Sequence, residues 1–313
     1  MTISTAALAT PVPSANYHPV AVVDWVAFTV KLRNASHGGH LKRKYEDIGV
    51  SHAKPLDAGP GSAAHAFRIV LQHPDKHRVI QDLLADLERS HGLSEAPTLD
   101  ALEVAVDFWP TGNDLGAGTD LTKRLMMELT PPILNNPRLV DDTPPAYLPT
   151  GADIDTCRTL YVGNDDEDLM WRVYWKRTDE TFVGDDSKRH PKPLPEDEWR
   201  ARAEVRLQGD ALASLSLMTP MDLASFKFER LYSLGYFKFC HHATGSGVVA
   251  SNPFALYAAQ RLGVDQEAPA CMLGKFGRKD ARDRSLKLSR NLLTDVELSE
   301  ACRSALRGLS RRL

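Results

Sequence analysis

Cysteine is scarce in this chain. Cys157, Cys240, Cys271 and Cys302 lie too far apart for a paired zinc signature and are too few for a disulfide framework, so they are expected to be reduced and structural. Long apolar runs are missing as well. The opening stretch, MTISTAALATPVPSANYHP, has neither a basic n-region nor an apolar h-region, so residues 1–19 read as a disordered tail and not as a signal peptide or membrane anchor. The expectation is a cytoplasmic protein with no membrane partner. Also absent are internal repeats and any pair of histidines separated by one apolar residue. HGGH (37–40) reads as a flexible loop, and neighbouring histidines in CHH (240–242) would point to opposite faces of a strand. His37, His40, His241 and His242 are therefore not assigned as ligands.

What remains is an ordinary globular composition: 313 residues, 42 % hydrophobic and 25 % charged, enough to bury a core in one large or two modest domains. The net charge of −3 argues at first against a polyanionic partner. It is unevenly spread, however. Split near residue 210, the first part carries roughly −9 and the rest roughly +6, an asymmetry found in nucleic-acid binders. The late cations concentrate in KFGRKDARDRSLKLSRNLL and RSALRGLSRRL. Arg278, Lys279, Arg282, Arg284, Lys287 and Arg290 are candidate phosphate contacts, with a solvated helix face as the alternative.

Several segments declare their secondary structure. VVDWVAFTVKL (22–32) and FRIVLQ (67–72) have the β-branched and aromatic content of strands. Val79, Leu83, Leu84 and Leu87 recur at helical spacing, and Gly92 stands where a C-terminal cap belongs. RTLYVG and LMWRVYWKR flank the acidic NDDED as a hairpin, while DDTPPAYLPTGAD (141–153) and TFVGDDSKRHPKPLPEDEW (181–199) read as loops. Beyond residue 211 the pattern is mainly helical. Asn252 is a candidate cap, and Thr294 with Glu297 forms a candidate capping box.

Three strands share one design. In ALEVAVDFW (101–109), LMWRVYWKR (169–177) and RAEVRL (202–207), one face is apolar and the other charged. If these strands are neighbours, Glu103, Asp107 and Glu204 gather carboxylate oxygens suited to Mg²⁺ or Mn²⁺, with Tyr174 nearby between Arg172 and Lys176. A hard cation beside such a tyrosine suits attack on a phosphodiester: the ion neutralises the phosphate, and the flanking cations favour phenolate over a phenol of ordinary pKa about 10. Alternating acids and cations also make a solvated strand face with cross-strand ion pairs, so the pattern alone leaves both readings open.

The order LEVAVDF, TLYVG, LMWRVYWK, RAEVRL, preceded by DWVAFTV, resembles the rolling-circle replication initiator (replication initiation factor) family of small plasmids and filamentous phages over roughly residues 20–210. The resemblance implies that Tyr174 is a nucleophile that attacks DNA. It likewise matches Arg172 and Lys176 to the flanking cations, and Asp107 and Glu204 to the metal-binding acids, with Glu103 where the family generally has Asp. Ala101 and Trp175 depart from the family pattern. Arg202 and Arg206, on the same face, are candidate DNA contacts.

The expected architecture is α+β: a twisted antiparallel sheet backed by helices and followed by a helical C-terminal region. Residues 20–210 would form a nicking domain and 211–313 a basic DNA-binding or accessory region. The implied activity is origin binding, cleavage of one strand through a 5′-phosphotyrosine link, and release of a 3′-OH primer, with Mg²⁺ or Mn²⁺ as cofactor. Implied partners are origin DNA, a host helicase and a host polymerase, and a homodimer remains open. The alternatives are a non-catalytic DNA-binding regulator and a metal-dependent phosphodiesterase that uses water.

Overall fold

The computed structural model describes residues 17–59, 61–132, 138–141, 158–183, 189–242 and 292–313. Its first four strands are β1 (Tyr17–Ser36), β2 (Val50–Pro55), β3 (Ala64–Gln72) and β4 (Thr98–Pro110). There follow β5 (Arg138–Asp141), β6 (Arg158–Val162), β7 (Leu169–Lys176), the hairpin β8 (Thr178–Val183) and β9 (Arg189–Pro193), and β10 (Arg200–Gln208). Eight of these form one sheet in the order β2-β3-β1-β4-β10-β7-β6-β5. Every neighbouring pair is antiparallel, as the α+β expectation required. The three strands of shared design are adjacent, with β10 between β4 and β7.

One face of the sheet is the core. Leu102, Val104, Val106 and Phe108 of β4 lie in register with Ala203, Val205 and Leu207 of β10 and, beyond these, with Trp171 and Val173 of β7; all are buried. Burying each large side chain contributes about 1.5–3 kcal/mol against exposure, which is why the alternation holds so strictly. The helices α1 (Gly38–Tyr45), α2 (His77–His91) and α3 (Leu115–Glu128) accompany the sheet. α3 presses directly on β7: a Cβ at Gly118 would lie 2.2 Å from the Trp175 ring, so only glycine allows this approach. At the end of α2, Gly92 takes φ +70° and donates its N–H to Glu88 O, as its position in the sequence predicts.

After β10 come the short helices α4 (Asp210–Ser214) and α5 (Glu229–Ser233), the paired strands β11 (Cys240–His242) and β12 (Leu292–Thr294), and the C-terminal helix α6 (Val296–Arg312). Leu298, Cys302, Leu306 and Leu309 of α6 are buried in the same core as the sheet. The cap of α6 is Asp295, whose Oδ1 accepts from Leu298 N at 3.0 Å, while Thr294, the expected cap, closes β12. Three further readings change. HGGH opens α1 and is not a loop, 181–199 contains most of the β8–β9 hairpin, and residues 17–19 of the expected tail already belong to β1. Asn252, Cys157, Cys271 and the cations from Arg278 to Arg290 lie outside the described residues, whereas Cys240 and Cys302 are buried free thiols. No helix among the described residues is long and apolar enough to cross a membrane.

Candidate active site

The opposite face of the sheet carries the chemistry. Register sets Arg202 beside both Asp107 and Tyr174, and Glu204 beside both Ala105 and Arg172. Strand β1 supplies one more acid through a β-bulge. Its partner positions step from Val23↔Val104 to Trp25↔Glu103, leaving Asp24 as the extra residue. The inward-facing set changes parity there, from Ala21 and Val23 to Val26, Phe28 and Val30, so Asp24 and Trp25 both turn to the charged face. Asp24, Glu103 and Glu204 then present carboxylate oxygens that all lie within 4.8 Å of one another.

The hydrogen bonds define each role. Tyr174 donates its hydroxyl to Glu204 Oε1 at 2.7 Å. Arg172 places Nη2 2.6 Å from both Glu103 Oε1 and Glu204 Oε2, bridging the two acids. Trp25 Nε1 donates to Glu103 Oε1 at 2.8 Å, and Arg202 Nη1 donates to Asp24 Oδ1 at 2.6 Å. His73, on left-handed backbone at φ +45°, holds Nδ1 3.6 Å from Asp24 Oδ1. A non-glycine residue in that conformation is uncommon.

Charge and burial conflict here. Burial first, and then the neighbouring Glu204 carboxylate, pushes Glu103 up to about 8 from the ordinary 4.5. Arg172 stays charged: desolvation works against it, but Glu204 and Glu103 outweigh that cost. For Asp24, desolvation is outweighed by Arg202, which holds its carboxyl below the usual range. The phenol of Tyr174 moves opposite to the sequence expectation. Burial and then Glu204 raise it well above 10, and Arg202 and Arg172 only partly offset this. The hydroxyl is therefore a proton donor to Glu204 at rest, and no phenolate is preformed.

Two assignments change. Asp107, expected in the metal site, is held by Arg202 through a double hydrogen bond at 2.5 and 2.7 Å, with Arg200 Nε 3.1 Å away. Its oxygens are committed to guanidinium groups, and Asp24 takes its place in the converging set. Arg202, expected to meet DNA, is 1 % exposed and serves as the counter-ion of Asp107 and Asp24. Lys176 is buried beside Asp179, 2.9 Å away, and Arg206 turns to Asp165. Only Arg172 of the two flanking cations touches the acids. The signal for Asp24 was present in VVDW, where one carboxylate interrupts an apolar strand, but strict alternation hides a bulge.

The donor set fits a hard divalent cation. Three carboxylates from three strands converge, and Glu204 Oε2 is buried with no aligned hydrogen bond, its contact with Arg172 being a bare ion pair. Asp24, Glu103 and Glu204 are the residues that could hold a metal ion.

No family model matches the chain, and no curated protein matches it. Among solved structures it is similar to the rolling circle replication initiator protein from Geobacillus stearothermophilus, at 16 % identity, covering 78 % of this chain and 96 % of that one, with a TM-score of 0.40.

Proposed function

We propose that this protein starts rolling-circle replication by cutting one strand of origin DNA with Tyr174. The observation that carries the reading is the 2.7 Å hydrogen bond from the Tyr174 hydroxyl to Glu204, a member of the converging carboxylate group. The strand motifs quoted above, in their order, support the same reading.

The Tyr174 oxygen attacks phosphorus while its proton passes to Glu204. The bond from phosphorus to the 3′ oxygen breaks, and that oxygen leaves as a 3′-OH after taking up a proton. The 5′ phosphate remains on the tyrosine. A phenol raised above its usual pKa does not attack as preformed phenolate, so proton transfer accompanies bond formation, and a base within hydrogen-bond reach is what that requires. A bound Mg²⁺ or Mn²⁺ supplies charge neutralisation at the phosphate. Arg172, whose side chain is 27 % exposed, is the cation that can turn from the acids to a phosphate oxygen. A host polymerase would extend the 3′-OH behind a host helicase.

The test uses the supercoiled replicon that encodes the protein, incubated with Mn²⁺ and analysed under denaturing conditions. The expected product is nicked DNA carrying covalently bound protein, lost with Tyr174→Phe and with excess chelator. Nicking without an adduct would assign the attack to water. Binding without nicking would mark a regulator. Cleavage by Tyr174→Phe would move the role to Tyr161, the next tyrosine on this face, which pairs with Arg172 in the strand register.

A further inference from the structure

The sheet has a second charged zone that the proposed reaction does not use, at its β2 edge. Residues 31–54 hold six lysines and arginines against two acids, within a part of the chain that is otherwise strongly acidic. Helix α1 buries Leu41 and Tyr45, one turn apart, so His40, Lys42 and Arg43 face outward and are exposed. The helix is pinned to the edge strand: a Cβ at Gly38 would sit 2.2 Å from Ala53 O. Next to it, His52 and Lys54 are exposed on β2. Lys31 pairs with Glu95 and Lys44 with Asp86, but among the described residues Lys42, Arg43 and Lys54 enter no ion pair.

On β2 this edge shares the face of the candidate active site, whereas α1 packs on the core face beside α2, where Tyr45 donates to Asp86, so its cations flank the edge from the other side. Lys54 lies beside Arg68, and Arg68 beside Thr29; His52 lies beside Val70, and Val70 beside Ala27, two positions from Trp25. Three strand spacings of about 4.8 Å across the sheet and four residues of about 3.3 Å along β1 set Lys54 roughly 20 Å from Glu103. That span is about the width of a DNA duplex. A cluster of carboxylates repels a polyanion, so a strand that reaches Tyr174 needs cations nearby to hold its flanking phosphates.

We propose that α1 and β2 form a phosphate-gripping margin, in which Lys42, Arg43 and Lys54 hold the backbone of a duplex stem next to the strand that enters the active site. The proposal rests on the DNA-nicking reading. Edge lysines also discourage sheet-to-sheet pairing, and that role alone predicts no effect on DNA.

The probe is a fluorescein-labelled DNA hairpin of arbitrary sequence with a single-stranded arm, because phosphate recognition does not depend on sequence. Affinity is measured by anisotropy with the full chain over about 50–200 mM salt. Removing one cation that neutralises a phosphate should reduce the slope of log K against log salt by about 0.9, so Lys42→Glu/Arg43→Glu/Lys54→Glu should lower it by roughly two to three units. The milder Lys42→Gln/Arg43→Gln should show part of that decrease, and thermal midpoints and Mn²⁺ binding should match wild type in both. Equal slopes in all three proteins, with wild type binding the hairpin, overturn the margin and leave the nicking reading standing. Failure of wild type to bind at the lowest salt overturns the DNA reading itself. Loss of binding to phosphatidylserine vesicles with an unchanged DNA slope would assign the margin to a membrane surface and overturn the proposal.

Discussion

Glu103 and Asp107 stand four residues apart on one strand, point to one face, and are both buried, yet they have opposite fates. Asp107 lies opposite Arg202, which binds it with two parallel hydrogen bonds while Arg200 approaches from the side. Glu103 lies opposite Arg206, whose guanidinium turns away to Asp165 and the carbonyl of the same residue. Its partners are instead a shared arm of Arg172 and the Trp25 indole. One carboxylate is compensated in place. The other sits in a group with excess negative charge, and burial together with Glu204 lifts it to about 8. A carboxylate serves as structure or as a ligand according to what its cross-strand neighbour does with its charge.

The largest expected effect breaks the compensated end. Asp107→Asn removes the counter-charge of Arg200 and breaks the double hydrogen bond of Arg202, which keeps Asp24, and breaking a buried pair in this way costs about 3–5 kcal/mol. Urea denaturation reads this directly. A loss below about 1 kcal/mol would mean that the pairing is not structural and would return Asp107 to the ligand set.

The uncompensated end should respond in the opposite way. Glu103→Gln keeps the shape and the hydrogen bond from Trp25 and mimics the neutral carboxyl that the raised pKa favours near neutral pH, so stability should change by no more than about 1 kcal/mol. Mn²⁺ affinity, measured by calorimetric titration, should fall at least about tenfold, because a carboxamide replaces a charged oxygen ligand. Asp24→Asn should behave alike. Tight Mn²⁺ binding retained by both, and abolished in Asp107→Asn, would reverse the two ends.

A smaller effect sharpens the comparison with a third, partly buried acid far from the site. Glu128 of α3 lies beside Arg124 and Asp295, where α3 meets the cap of α6. Burial, then the hydrogen bond and charge of Asp295, raise it from 4.5 to about 8. Because its folded pKa lies above its unfolded one, the stability it contributes is full below about 4.5 and is lost as pH rises through about 8. Glu128→Gln cannot lose a proton. The difference in unfolding free energy between variant and wild type should therefore shift by on the order of 1 kcal/mol in the variant's favour between mildly acidic and mildly alkaline pH. A pH-independent difference would remove Glu128 from the account.

Much of the fold was legible because period-two alternation is a local property. A strand with Leu102, Val104, Val106 and Phe108 on one side has one stable way to face a core, and the same rule placed β7 and β10. Tyr174 and Glu204 were legible for the same reason, since polar residues at alternate positions share the other face. α1 and α3 were not legible in the sequence: glycines at Gly38, Gly39, Gly116 and Gly118 weaken helix propensity, and packing on β2 and β7 overrides it.

The sequence by itself determined which residues occupy the charged face, because backbone geometry fixes side-chain direction along a strand. Only the tertiary structure decided what each does there. One bulge in β1 turned Asp24 toward Glu103 and Glu204, a register pairing tied Asp107 to Arg202, and burial beside Glu204 raised the phenol that flanking cations were expected to lower. These outcomes depend on strands distant in the chain and on how much water the folded face admits. Electrostatic interactions change sign of consequence with both, and neither is written in a local pattern.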